Sequence, residues 1–160
     1  MGDPDLHEDV RALAFLLGTW RGRGAGTYPT IEDFLYEEEI RIEHAGDAYL
    51  THLQRSWSNE DGSAIHLERG FIRPGVDGEV ELTLAHPLGL TEIAHGTVEG
   101  TSLVFTTDTG GMGRTRTGMD VTGMIRRYVV TGDVLTYEVD MATERTPMTR
   151  HLAATLGRQP

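Results

Sequence analysis

Seven histidines, twenty-five aspartates and glutamates, five tyrosines and six methionines are the groups in this 160-residue chain that could hold a metal or move a proton. It has no cysteine, and all fourteen basic residues are arginine. Without cysteine there are no disulfides, thiolate nucleophiles, zinc ribbons, iron–sulfur clusters or thiolate-ligated haem. Without lysine there is no Schiff-base chemistry and no lysine for a phosphate loop. That matters for "GTWRGRGAGTYPTI" at residues 18–31, whose four glycines invite a nucleotide-binding reading. The next run, "IEDFLYEEEIRI", is extended rather than the long helix a phosphate loop requires. Glycine at alternate positions suits a barrel wall instead, where it lets strands bend or bulky groups approach the backbone. A formal net charge of −11 speaks against a nucleic-acid partner bound through its phosphates.

The chain must position any such chemistry with short strands. "EVELTL" at 79–84 alternates Val80, Leu82 and Leu84 with Glu79, Glu81 and Thr83, and "VLTYEVDM" at 134–141 does the same. A period of two marks half-buried antiparallel strands. Turn signals at 60–62, 74–78, 99–100 and 131–133 divide the sequence into about ten strands, near 19–26, 34–44, 48–58, 64–73, 79–86, 91–98, 102–108, 119–130, 134–142 and 148–157. Only "HEDVRALAFLL" at 7–17 has helical spacing, through Val10, Leu13, Leu16 and Leu17. One short N-terminal helix and many hairpin-length connections predict a single all-β domain over 1–160: a closed, roughly ten-stranded antiparallel β-barrel, lipocalin-like or fatty-acid-binding-like, favoured over a sandwich. Residues 1–6 are expected as a tail, and "DTGGMGRTRTG" at 108–118 as a flexible loop of the kind that rims binding sites. No apolar run approaches the roughly 18–20 residues of a membrane span. The N-terminus lacks the features of a signal peptide, so a cytoplasmic location is expected.

The motifs Gly18-x-Trp20-x-Gly22-x-Gly24 and Tyr28-Pro29-Thr30-Ile31, then "QRSWS" (54–58), "HPLG" (86–89), "RRY" (126–128), "LTYEVDMA" (135–142) and "HLAATLGR" (151–158), follow one another along almost the whole chain. In this order they resemble the nitrobindin family. The resemblance implies a ten-stranded barrel holding ferric haem b through a histidine of the last strand. It also implies isomerisation of peroxynitrite to nitrate and binding of nitric oxide.

His151, in "TRHLAATL", matches the axial ligand of that family. Strand periodicity places Thr149, Ala153 and Thr155 on its face, all small, which would leave room for a large flat ligand. A neutral imidazole is also an ordinary donor to haem iron. Thr30 matches a haem-contacting position, and its hydroxyl or backbone could bond a propionate; His66 and Met141 match positions of the pocket lining. Met119 stands where relatives often carry a basic residue, so Arg114 or Arg116 would have to meet the propionates. His86 reads as structural, in a turn before Pro87, and His7, His44, His52 and His95 receive no role. The Gly-x-Trp opening is shared with lipocalin-like carriers, so a non-catalytic barrel for haem or another apolar small molecule is the alternative.

Overall fold

Inward apolar and outward polar side chains alternate along the strands, as in β5, where Val80, Leu82, Leu84 and His86 are buried and the residues between them are not. The computed structural model describes residues 4–160. Its strands are β1 (Gly18–Tyr28), β2 (Ile31–His44), β3 (Leu50–Ser58), β4 (Ala64–Pro74), β5 (Val80–His86), β6 (Leu90–Glu99), β7 (Ser102–Arg114), β8 (Val121–Thr131), β9 (Val134–Thr143) and β10 (Thr149–Arg158). Each pairs antiparallel with its sequence neighbours, and β1 pairs with β10 to close the ring. The predicted barrel is therefore the observed one. No helix is long and apolar enough to cross a membrane, among the described residues.

Two local departures from expectation have clear causes. The N-terminal helix, Glu8–Leu16, is a 3₁₀ helix, and its buried residues Val10, Leu13 and Leu16 are spaced by three, one turn apart at three residues per turn. The glycine-rich segment 108–118 is also not one long loop. β7 continues through Arg114, with Thr107 opposite Ala94 and Met112 opposite Glu92, so residues 108–111 are accommodated as an irregular bulge. A Cβ on Gly111 would lie 2.3 Å from the Ile93 carbonyl oxygen, which is why this crowded position holds glycine. Of the expected tail, residues 1–3 lie outside the described residues, while Leu6 packs against the core.

The two ends of the barrel differ. The helix covers one end, where Trp20 is fully buried and donates from Nε1 to the Leu16 carbonyl at 2.9 Å. The Arg158 guanidinium lies 4.1 Å from the centre of the Trp20 ring and also donates to the carbonyls of Leu17 and Phe15. First and last strands thus hold the helix together. The other end, bounded by the β1–β2, β3–β4, β5–β6, β7–β8 and β9–β10 turns, opens into a cavity.

The inward glycines of β1 shape that cavity. Gly24 pairs with Tyr36 and Gly26 with Phe34, and a Cβ on either would fall 2.3 Å or 2.1 Å from the facing ring. The missing side chains let both aromatic rings lie flat on the β1 backbone. A Gly26→Ala substitution is expected to displace Phe34 and destabilise the barrel by about 1–3 kcal/mol, the usual effect of overpacking; urea unfolding monitored by tryptophan fluorescence measures it.

Candidate functional site

His151 does not sit in a regular strand. In the β9–β10 ladder Arg150 pairs with Asp140 and Leu152 with Val139, so His151 is the extra residue of a β-bulge. The bulge shifts the alternation, and the expected small-residue face is corrected accordingly. Ala153 and Thr155 point outward, Ala154 and Leu156 point into the barrel, and His151 and Leu152 both line the cavity. Such bulges re-aim a side chain without ending the strand.

The ring is fixed by one backbone contact. Its Nδ1–H donates to the Thr27 carbonyl of β1 at 3.0 Å, and Thr27 lies at the irregular point of the β1–β2 ladder. The Tyr28 and Phe34 rings meet it edge-on, with centroids 5.2 Å and 6.4 Å away. The carbonyl can only accept, so the proton must be on Nδ1 and the lone pair on Nε2. Burial lowers the His151 pKa, with His66 adding to the effect and the Thr27 bond opposing it, and this favours the neutral imidazole.

The cavity has a volume of about 270 Å³. Ile31, Phe34, Leu88, Met119, Met141 and Leu152 give it apolar walls, and His66 adds a partly exposed imidazole. The structure therefore brings His151, His66 and Met141 to one cavity. Thr30 stays outside it, exposed in the β1–β2 turn next to Ile31. Met119 is exposed at the mouth. Of the two nearby arginines, Arg114 is held by Glu144 at 3.0 Å, whereas Arg116 makes no ion pair among the described residues.

The floor of the cavity carries charge. Arg126, 3% exposed, donates to both oxygens of Glu68 at 2.8 and 3.0 Å and to both oxygens of Glu92 at 3.2 and 2.8 Å. Burial alone would neutralise Glu68, but Arg126, His52 and His66 outweigh it and hold its carboxyl well below the usual range. Burial of Glu92 is likewise outweighed by Arg126 and His86. Buried His52 donates to Glu68 at 3.2 Å, and His86 lies 3.2 Å from His66 through Nδ1. Beside this group Glu38 Oε2 accepts from Tyr137 at 2.6 Å and from Gln54 at 3.0 Å, while Tyr36 and Tyr137 share a hydroxyl contact at 2.7 Å. Burial pushes the Glu38 carboxyl up to about 7, against those two hydrogen bonds, and its Oε1 is buried without a partner.

The family described as "THAP4-like, heme-binding beta-barrel domain" matches residues 9–158. This chain belongs to that family. The likeness to nitrobindins read from its motifs therefore holds. Curated relatives named peroxynitrite isomerase include one from Nocardia farcinica, 46% identical and covering 96% of this chain and 92% of its own. Another, peroxynitrite isomerase 2 of Mycobacterium avium, is 44% identical over 97% of this chain and 98% of its own. The crystal structure of Rv2717c from M. tuberculosis superposes with a TM-score of 0.89 at 42% identity, over 98% of this chain and all of the other.

The residues present fit the cofactor of this heme-binding family. A neutral imidazole with its tautomer set by a backbone carbonyl, in an apolar cavity, has the donor chemistry that a haem iron takes. The polar floor was not foreseen from sequence. A signal was available: Glu38, Glu92 and Arg126 each occupy an inward position of an alternating strand, flanked two residues away by buried side chains, and Glu68 stands inward between His66 and Gly70.

Truncating Arg126 strands two buried carboxylates. Arg126→Met is expected to lose about 3–5 kcal/mol of stability, and adding Glu68→Gln and Glu92→Gln should restore much of it; denaturant melts of the single and triple variants test both statements. Glu38 acts with the opposite sign. Its folded pKa of about 7 lies above the ordinary glutamate value of 4.5, so its contribution is present at acid pH and is lost as pH rises from about 4.5 to 7. Thermal melts between about pH 5 and pH 8 should show a decline in wild type that Glu38→Gln reduces by roughly 2–3 kcal/mol.

Proposed function

We propose that this protein is a haem-dependent peroxynitrite isomerase in which His151 Nε2 would hold the haem iron. The observation that carries this reading is the bulge-borne His151, whose Nδ1–H is committed to the Thr27 carbonyl while its ring lines an apolar cavity. The peroxynitrite isomerases similar to it over nearly their whole length support the activity. When bound, ferric haem b would supply the Lewis-acid and redox chemistry for converting peroxynitrite to nitrate and for taking up nitric oxide.

The chain's own residues divide the remaining work. Thr27 holds the His151 proton on Nδ1, which keeps Nε2 available over the neutral pH range. Ile31, Phe34, Leu88, Met141 and Leu152 exclude water from the cavity and offer flat apolar contact to a macrocycle. In the turns near Ile31 and Met119, the Thr30 hydroxyl and Arg116, which makes no ion pair among the described residues, would meet the propionates, with Met119 contributing only apolar contact. His66 is the imidazole available to a small ligand inside the cavity. A cysteine-free, acidic chain fits action in the cytoplasm.

Reconstitution with hemin should give a Soret band distinct from that of free hemin, and His151→Ala should weaken or shift it strongly. In stopped-flow experiments the ferric protein should accelerate peroxynitrite decay and raise the nitrate yield. A hemin spectrum unaltered by the protein rejects the haem site; decay no faster than with the haem-free protein rejects the isomerase and leaves a haem carrier.

A further inference from the structure

A second group of side chains, apart from His151, has the composition of a metal site. His66 and Glu68 on β4 meet His86 at the end of β5. The facing atoms are His66 Nε2, Glu68 Oε2 and His86 Nδ1. The two nitrogens are 3.2 Å apart, and the Glu68 oxygen lies 3.4 Å from His66 and 3.5 Å from His86. Ligand atoms of a tetrahedral ion with bonds of about 2.0–2.1 Å stand about 3.3–3.4 Å from one another. The three donors already mark one face of such a tetrahedron, and His66 leads from it to the cavity.

Tautomer and charge point the same way. His86 Nε2 lies 3.4 Å from Glu92 Oε2 and has no other partner among the described residues, and a carboxylate beside that nitrogen favours the proton there. The Nδ1 lone pair then faces His66 and Glu68, which is the carboxylate–histidine–metal arrangement of many protein sites. Glu68 Oε2 accepts from Arg126 at 3.0 Å, and a carboxylate oxygen has a second lone pair for a cation. Around the group, the two carboxylates of Glu68 and Glu92 share the single guanidinium of Arg126, so acidic groups outnumber arginines here among residues no more than 3% exposed. Excess buried charge is unfavourable until a cation or a proton offsets it.

We propose that His66, Glu68 and His86 form a second metal site, separate from the haem ligand, for a divalent transition cation of the zinc class. Two imidazoles and a carboxylate suit zinc, cobalt or copper better than magnesium or calcium. Three protein ligands with a fourth position toward a cavity are the pattern of a reactive rather than a purely structural zinc centre. β5 stands five places from β10 in the ring of ten, so the two metal sites face each other across the barrel.

The test is zinc retention by the haem-loaded protein after equilibrium dialysis, measured by elemental analysis. One zinc per chain is expected, with affinity at least about tenfold weaker in His66→Gln and His66→Ala; the partly exposed position of His66 makes these variants compatible with folding, which circular dichroism checks. Cobalt added to His151→Ala prepared without haem, so that no haem band overlaps, should give the intense visible bands of a four- or five-coordinate ion. No retained zinc, zinc retention unchanged in both His66 variants, or cobalt binding abolished by His151→Ala overturns the proposal. None of these outcomes bears on haem binding by wild type, which the Soret band reports separately.

Discussion

One buried guanidinium organises the interior of this barrel. Arg126 projects from β8 to the middle of the ring and is gripped by carboxylates from β4 and β6. A lone charge there would be untenable, and so would either glutamate alone. Together they form an ionised set whose remaining oxygen lone pairs must find donors. His52, His66 and His86 are drawn to Glu68 and Glu92 for that reason. The orientation of the His66 imidazole in the cavity is therefore decided from below, by an ion cluster whose residues are no more than 3% exposed.

This layer also divides the molecule. Below it, the interior is an ordinary apolar core of Trp20, Ile40, Leu50, Leu82, Leu103, Leu135 and Leu156, covered by the 3₁₀ helix. Above it, the interior is left unfilled, because the inward residues of β1 are glycines and the rings of β2 occupy their space. Filling and emptying are both written in side-chain size. Large residues close one end, and absent side chains, together with the charges that resist hydrophobic collapse, keep the other open.

The architecture was legible because strand alternation and turn residues are local signals, and in an up-and-down barrel neighbours in sequence are neighbours in space. His151 and the cavity positions His66 and Met141 came from the resemblance rather than from periodicity. Periodicity misassigned the face of His151, since a single bulged residue reverses inward and outward along the rest of β10, and nothing local announces the bulge. The 108–118 segment was misread for a related reason: its glycines permit an irregular strand as readily as a loop. The ion cluster was half legible. Charged residues at inward positions were visible, but that they meet one another depends on β4, β6 and β8 curving toward one centre, which no single strand encodes.

The Nδ1 contact of His151 joins residues 124 positions apart, across the seam where the first and last strands meet. Each strand from β2 onward can pair with its predecessor as the chain emerges during synthesis, but this bond, like the β1–β10 ladder around it, needs both ends of the sequence. The His151–Thr27 geometry of a growing polypeptide is therefore complete only once its final strand has left the ribosome and zipped onto the first. On the proposed role of His151, haem uptake would report that the barrel has closed.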